Sequence, residues 1–439
     1  MSEPLDFTID CLGHAYRRSP MHLSRRLGDN IPDFMEDSRR LYYRIETDAA
    51  EPADPAGIGM LELAGPRPEI FFDPEGVHAA VITCGGLCPG LNDVIRAVVM
   101  SLWYHYGVRR ISGIQFGYRG LLPEFELPPI PLTPDKVLNI HQDGGTMLGS
   151  SRGFGDRTVE MARTLQKMGV NMLFTIGGDG TQRAALDLAE ELKKQSRELA
   201  VVGIPKTIDN DLSFVHRSFG FETAVSVASQ VVAGAHVEAS GAPGGIAVVK
   251  VMGRQSGFIA ATTTLANNDV NFTLIPEVPF DLEGDNGLYH HLADRVARRR
   301  HAVVLVAEGA GQEHLARAQG TDASGNVKLG DIGTFLTAGI KSHFKERNTE
   351  INLKYIDPSY IIRSTPANAN DSVYCARLGT NAVHAAMAGK TGLLVSLLNG
   401  RQVHVPIRLA TAKRNTVDPD GELWLGVLEA TGQPLMTNE

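Results

Sequence analysis

Residues 174–182 read FTIGGDGTQ and residues 201–212 read VVGIPKTIDNDL. Each starts as an apolar, β-branched run, the composition of a buried strand, and breaks off in a short loop of small and acidic residues. Between them, TQRAALDLAEELKKQ (residues 181–195) sets its apolar residues at helical spacing. Strand, glycine turn, helix and strand again is the repeating unit of a parallel sheet covered by helices. Ligands of such sheets bind outside the carboxyl ends of the strands. The two loops supply Asp179, Asp209, Asp211, Lys206 and three glycines. Glycines let main-chain N–H groups approach phosphate oxygens, and carboxylates hold a divalent cation or accept a proton. The pair of loops points to phosphoryl transfer.

The same alternation extends in both directions. VHAAVITCGG (77–86), RRISGIQFG (109–117) and NMLFTIGGD (171–179) read as strands, and LNDVIRAVVMSLWYHYG (91–107) and RTVEMARTLQKMG (157–169) as helices. Past Gly220 the pattern restarts. FETAVSVASQVVAGAHVEAS (221–240), SGFIAATTTLANN (256–268) and LYHHLADRVARRR (288–300) predict helices, while GGIAVVKVMG (244–253), NFTLIPE (271–277) and HAVVLVAEG (301–309) predict strands. The expected fold is α/β, with two doubly wound, Rossmann-like parallel-sheet domains and an N-terminal extension. The polar, then Pro- and Ala-rich residues 1–70 form that extension. Residues 71–220 with about 364–410 form a phosphate-donor domain, 221–363 an acceptor domain, and 411–439 a C-terminal segment. The helix DSVYCARLGTNAVHAAMAG (371–389) is expected to return to the first domain.

Bulk properties narrow the function. A chain of 439 residues is too long for one ordinary core. A hydrophobic content of 43%, a charged content of 21% and a net charge of -8 describe a globular protein without an electrostatic footprint for nucleic acid or anionic membrane. The basic cluster Arg298–Arg300 closes a helix, where the dipole favours cations. Four cysteines make no disulfide framework in a chain this long, and Cys84 and Cys88 lack partners at zinc spacing. No signal peptide, apolar span or C-terminal address is legible, so a cytoplasmic location is expected.

Further motifs fall at the predicted strand ends. CGGLCPGLNDVIR (84–96) is a strand, a glycine turn and a helix start, a natural seat for phosphate. In GGDGT (177–181), Gly178 and Gly180 open the backbone, Asp179 is placed to hold magnesium, and Thr181 adds a hydroxyl. In PKTIDNDL (205–212), Thr207, Asp209 and Asp211 alternate, so an extended loop puts them on one face. A hydroxyl acceptor needs a carboxylate to take its proton as the phosphoryl group arrives, and Lys206 offers charge to that group. GGTMLGSSRGFGDR (144–157) carries Arg152 and Arg157, candidates for clamping phosphates. VMGRQSGF (251–258), AEG with Glu308, and YIDPSYIIR (355–363) each fit a packing or surface role alone, while Arg and Glu together at strand ends suit a sugar phosphate.

These segments, taken in chain order from about Val77 to about residue 390, resemble the 6-phosphofructokinases. The wording is most similar to the long-chain ATP-dependent branch that shares ancestry with the pyrophosphate-dependent enzymes. The resemblance implies Asp209 as general base for the C1 hydroxyl of fructose 6-phosphate, with Thr207 and Ile208 lining the acceptor. It implies Gly86, Arg152, Gly153, Gly178, Asp179, Gly180 and Thr181 around the donor, with Mg2+ on Asp179, and Arg152 and Lys206 assisting transfer. Met252, Gly253, Arg254, Glu308, Tyr360 and Arg363 would bind fructose 6-phosphate. The resemblance also implies a homodimer or homotetramer. Pyrophosphate enzymes of the family carry Asp at the place of Gly180 and Lys at that of Lys206, so this chain is mixed. Glycine at 180 leaves room for an α-phosphate, which favours ATP; pyrophosphate is the alternative donor. Ala184 stands where a glycine is common near the nucleotide. Readings as an NAD or lipid kinase, or as a non-catalytic sensor, compete with this one.

Overall fold

The computed structural model describes residues 5–26, 28–46, 59–315, 320 and 327–438. The Pro- and Ala-rich part of the N-terminal extension, residues 47–58, lies outside the described residues. The chain divides into two compact units. The first comprises residues 1–207, 212–220 and 365–414, and the second 208–211, 221–364 and 415–439.

The sheet of the first unit is organised around strands Met172–Gly177 and Ala200–Pro205, fully buried and paired in parallel. They are buried on both faces, which is why their sequences run apolar without alternating. His78–Thr83 pairs in parallel with Met172–Gly177 on its other side, Arg110–Ile114 continues outward from it, and Leu393–Leu398 lies beside Ala200–Pro205. In chain order these five strands stand 2-1-3-4-5 across the sheet. The order reverses between His78–Thr83 and Met172–Gly177, and such a switch point is where doubly wound sheets bind ligands.

Antiparallel strands extend the parallel first sheet at both edges. Ile130–Pro131 is antiparallel to Arg110–Ile114. On the far side Arg401–Pro406 returns antiparallel to Leu393–Leu398, and Met60–Leu63 and Arg40–Tyr42 follow, each antiparallel to its neighbour. The N-terminal residues thus contribute two strands to this sheet. They are fixed there by a buried ionic cluster. Glu62 accepts from Arg67 at 2.7 Å, Lys390 at 2.8 Å and His404 at 2.9 Å; against the opposing cost of burial, His404 and Lys390 hold its carboxyl well below the usual range.

The helix expected over 91–107 is α-helical over Leu91–Met100 and continues as a π-turn over Ser101–His105. The wider turn accompanies burial of Leu102 and Tyr106, and the Tyr106 hydroxyl meets His384 Nδ1 at 2.8 Å. Helix Asp179–Lys194 buries Ala184, Ala185, Leu188 and Leu192, one stripe at helical spacing, against the core of this unit.

The second unit has a four-stranded, all-parallel sheet. Gly245–Val251 and His301–Ala307 are its central strands, flanked by Asn352–Ile356 and Phe272–Leu274. The small residues of helix Phe221–Ser240, including Ala224, Ala228, Ala235 and Ala239, are buried in the core on one face, and helices Leu288–Arg299 and Ile332–Glu346 contribute to the core on the other. Helix Glu422–Thr431 supplies Trp424 and Val427 to this unit.

Candidate active site

In the first unit, the loops after His78–Thr83 and Met172–Gly177 leave the sheet at the switch point. Gly85 has φ +88°, a left-handed conformation that favours glycine. A Cβ there would lie 3.0 Å from the Lys206 ammonium. Lys206 Nζ donates to the Gly86 carbonyl at 2.8 Å, so this lysine fixes the first glycine loop. The Arg152 loop stands alongside. Gly85 N–H donates to Ser151 O at 2.9 Å, Ser150 Oγ to Gly85 O at 2.6 Å, and Arg152 Nη2 lies 3.5 Å from the place of a Gly86 Cβ. Gly153 turns that loop with φ +85°.

The GGDGT loop caps helix Asp179–Lys194, with Gly178 as N-cap. A Cβ at Gly178 would lie 3.2 Å from the Lys206 carbonyl, whereas one at Gly180 would meet no atom within 4 Å. Thr181 is buried; its side chain folds back on Gly177, and its carbonyl accepts from the Tyr118 hydroxyl at 2.7 Å. Asp179, 12% exposed, pairs with Arg183 at 2.6 Å and Arg414 at 3.6 Å. Ala184 is buried, with its methyl 2.6 Å from where a Gly155 Cβ would stand, so it packs on the Arg152 loop. Burial pushes the Cys84 thiol up to about 12, which leaves it inert as a nucleophile at neutral pH.

The first unit corrects one expectation. Arg157 does not face a phosphate position: Glu124 and Glu160 both pair with it, so it ties its own helix start to a neighbouring turn.

The chain passes from the first unit to the second between Thr207 and Ile208, inside PKTIDNDL. Asn210 takes φ +56° and turns the loop, a conformation asparagine tolerates. Asp209 is a carboxylate crowded by like charge. Burial, then the Asp211 and Glu308 carboxylates, push it up to about 7, against the pull of the Arg363 guanidinium and a backbone N–H from Arg254. Three residues assigned from separate motifs, Glu308, Arg363 and Arg254, therefore act on one carboxylate. The Asp209 carbonyl accepts from Ser256 Oγ at 3.0 Å. Met252 and Gly253 follow the Gly245–Val251 strand, and Gly253, at φ +129°, fits against the Ser256 carbonyl. Glu308 N–H donates to Val251 O at 2.9 Å, which aligns the two strand ends. Arg254 donates to the Val327 carbonyl, and Arg363 lies 5.9 Å from the ring of Tyr360, which is 81% exposed.

Sequence reasoning missed Glu277, which accepts from Gly257 N–H at 2.9 Å and Val417 N–H at 2.8 Å and so anchors the turn after Arg254. Its signal was present, an acid just past the Phe272–Leu274 strand. It also missed Arg183 and Arg414.

A phosphofructokinase family model matches residues 78–386, well over half of the chain. The chain belongs to the phosphofructokinase family. It is 52% identical over 441 residues to the ATP-dependent 6-phosphofructokinase of Borreliella burgdorferi, covering 99% of this chain and 98% of that protein. It is also 52% identical over 380 residues to the ATP-dependent 6-phosphofructokinase of Amycolatopsis methanolica, covering 85% of this chain and 82% of that protein. Among solved structures, a pyrophosphate-dependent phosphofructokinase from Marinobacter aquaeolei superposes with TM-score 0.68 at 19% identity, covering 83% of this chain and 92% of that one. Phosphofructokinase from Pichia pastoris gives TM-score 0.62 at 23% identity, over 81% of this chain and 40% of that one. These two likenesses bear out the α/β fold with parallel-sheet domains.

Proposed function

We propose that the protein transfers the γ-phosphoryl group of ATP to the C1 hydroxyl of D-fructose 6-phosphate, giving fructose 1,6-bisphosphate and ADP in glycolysis. The observation that carries the choice of donor is Gly180. It stands at the head of a helix with open space beyond its Cα, so nothing of the protein's own fills the position an α-phosphate needs. Kinship with ATP-dependent enzymes over nearly the whole chain supports the same choice.

Asp209 takes the proton from the C1 hydroxyl as its oxygen attacks the γ-phosphorus and the bond to the departing ADP oxygen breaks. A carboxylate raised to about 7 is a stronger base than an ordinary aspartate and still ionised in a large fraction of molecules at neutral pH. Arg254 and Arg363 supply charge for the sugar phosphate, Glu308 accepts from sugar hydroxyls, and Met252, Gly253, Tyr360, Thr207 and Ile208 shape the acceptor position. Gly86, Gly153, Gly178 and Gly180 present main chain to the donor, Thr181 contributes at the helix start, and Arg152 and Lys206 stabilise charge on the transferring group.

The residues fit a magnesium ion. Among the described residues no cluster of three or more His, Cys, Asp or Glu forms a metal cage. One nearly buried carboxylate, Asp179, stands at the donor loop, as expected for a cation held mainly by substrate phosphates and water. Asp179 would hold Mg2+, and the ion's charge would offset that of the phosphates.

Family kinship supports a homodimer or homotetramer, which light scattering on the purified protein would decide. None of the described helices is long and apolar enough to cross a membrane, and a cytoplasmic location is proposed. The deciding experiment measures fructose 6-phosphate phosphorylation with MgATP and with magnesium pyrophosphate side by side. Turnover with ATP is expected. Lys206 favours the second reading, and turnover with pyrophosphate alone would establish that reading instead.

A further inference from the structure

We infer that Arg414, with Arg183 beside it, belongs to the phosphate-donor site and sets its affinity for a polyphosphate, an inference that rests on the kinase reading above. Asp179 Oδ2 faces two guanidiniums, Arg183 at 2.6 Å and Arg414 at 3.6 Å. The two differ in kind. Arg183 is an i,i+4 neighbour on the same helix and is 57% exposed. Such pairs are common on solvated helices and contribute little. Arg414 arrives from the far end of the first unit and is only 26% exposed.

Its segment is fixed from two sides. Leu212 bridges Arg414 in antiparallel fashion, and Ser213 Oγ donates to the Lys413 carbonyl at 2.6 Å. Arg183 Nη2 donates to the Thr411 carbonyl at 3.4 Å. A guanidinium on backbone held in this way has less freedom to lose when it meets a ligand.

Charge completes the argument. Arg152 and Lys206 crowd the Gly86 loop, and Arg183 and Arg414 crowd Asp179 at the head of its helix. A helix start disfavours cations, so two guanidiniums there are best accommodated when an anion joins them. A polyphosphate is that anion. Without donor, Asp179 offsets the two arginines. With a metal-bound donor in place, Asp179 would hold the cation and the phosphate oxygens would take its place on Arg414 and Arg183. Ion pairs exchange and no buried charge is left without a counter-charge. Arg414 is a donor-binding residue that sets affinity, since Arg152 and Lys206 stand nearer the first glycine loop.

The test titrates MgATP and magnesium pyrophosphate by calorimetry into the parent protein and into Arg414→Gln, Arg414→Lys and Arg183→Gln, alongside KM for fructose 6-phosphate and the donor-free melting temperature. Arg414→Gln is expected to weaken donor binding about tenfold or more, the scale of a lost charge-assisted contact. Lysine, which keeps the charge without the fork, should recover part of it. Arg183→Gln should cost about twofold to threefold, as suits an exposed side chain. KM for fructose 6-phosphate should stay within about twofold, a split that a merely structural role would not produce. Unchanged donor affinity in Arg414→Gln overturns the inference, and a lowered melting temperature with that result marks a structural ion pair. If the parent uses only pyrophosphate, the ATP reading fails while the pyrophosphate titration still decides the role of Arg414.

Discussion

The loops proposed for the donor and those proposed for the acceptor are built on opposite principles. The donor loops of the first unit are mostly main chain: Gly85 and Gly153 in left-handed conformations, Gly178 and Gly180 at a helix head, and Lys206 holding the assembly through a carbonyl. The acceptor loops of the second unit are mostly charged side chains, among which Asp211, Glu308 and Arg363 act on the Asp209 carboxylate. The contrast follows from chemistry. A polyphosphate is recognised by many N–H groups and a cation, which bare backbone supplies. An alcohol must lose a proton, which requires one carboxylate of tuned basicity.

The largest test of that contrast is Asp209→Asn. Loss of the base should lower kcat by roughly 10²–10⁴-fold in steady-state assays while donor affinity holds. The same variant should gain stability. The pKa of Asp209 is raised in the folded state, so between about pH 4 and 7 the native protein binds more protons than the unfolded one, and stability falls as pH rises through that window. Melting scans should show the asparagine variant favoured above pH 7 and matched to the parent below about pH 4. A variant that loses stability at every pH would contradict the crowding of like charge.

Gly180→Asp addresses the donor side. Its Cβ meets no neighbour, so the fold should tolerate it, but bulk and negative charge would enter the α-phosphate space. Turnover with ATP should fall by about tenfold or more, at unchanged KM for fructose 6-phosphate, and the ratio of pyrophosphate to ATP turnover should rise. Next in size is pH. Because Asp209 works ionised, kcat/KM should fall about tenfold per pH unit below its pKa near 7, and Glu308→Gln, which removes a neighbouring negative charge, should move that break to lower pH. The smallest effect belongs to Arg157→Gln. Glu124 and Glu160 already occupy that arginine, so donor affinity should change by less than about twofold and the melting temperature should hardly move.

How much was legible depended on how local each signal is. Strands His78–Thr83, Met172–Gly177 and Ala200–Pro205 announced themselves because burial on both faces demands continuous apolar runs. The antiparallel edge was not read, although LLVSLLNGRQVHVP carried a hairpin signal in Asn399 and Gly400, both with positive φ. In sequence Arg183 is one more polar residue on a helix. Arg157 looked equivalent to Arg152, since sequence shows a guanidinium but not the carboxylates that reach it.

The sequence alone determined the alternation of strand and helix, the glycine loops and the acids within them, because hydrophobic period and backbone freedom are properties of neighbouring residues. Tertiary structure decided which arginines face Asp179, which are spent on Glu124 and Glu160, and how far the Asp209 carboxyl rises. Those outcomes depend on charges and burial contributed by residues far apart in the chain, and electrostatics acts through space rather than along the backbone.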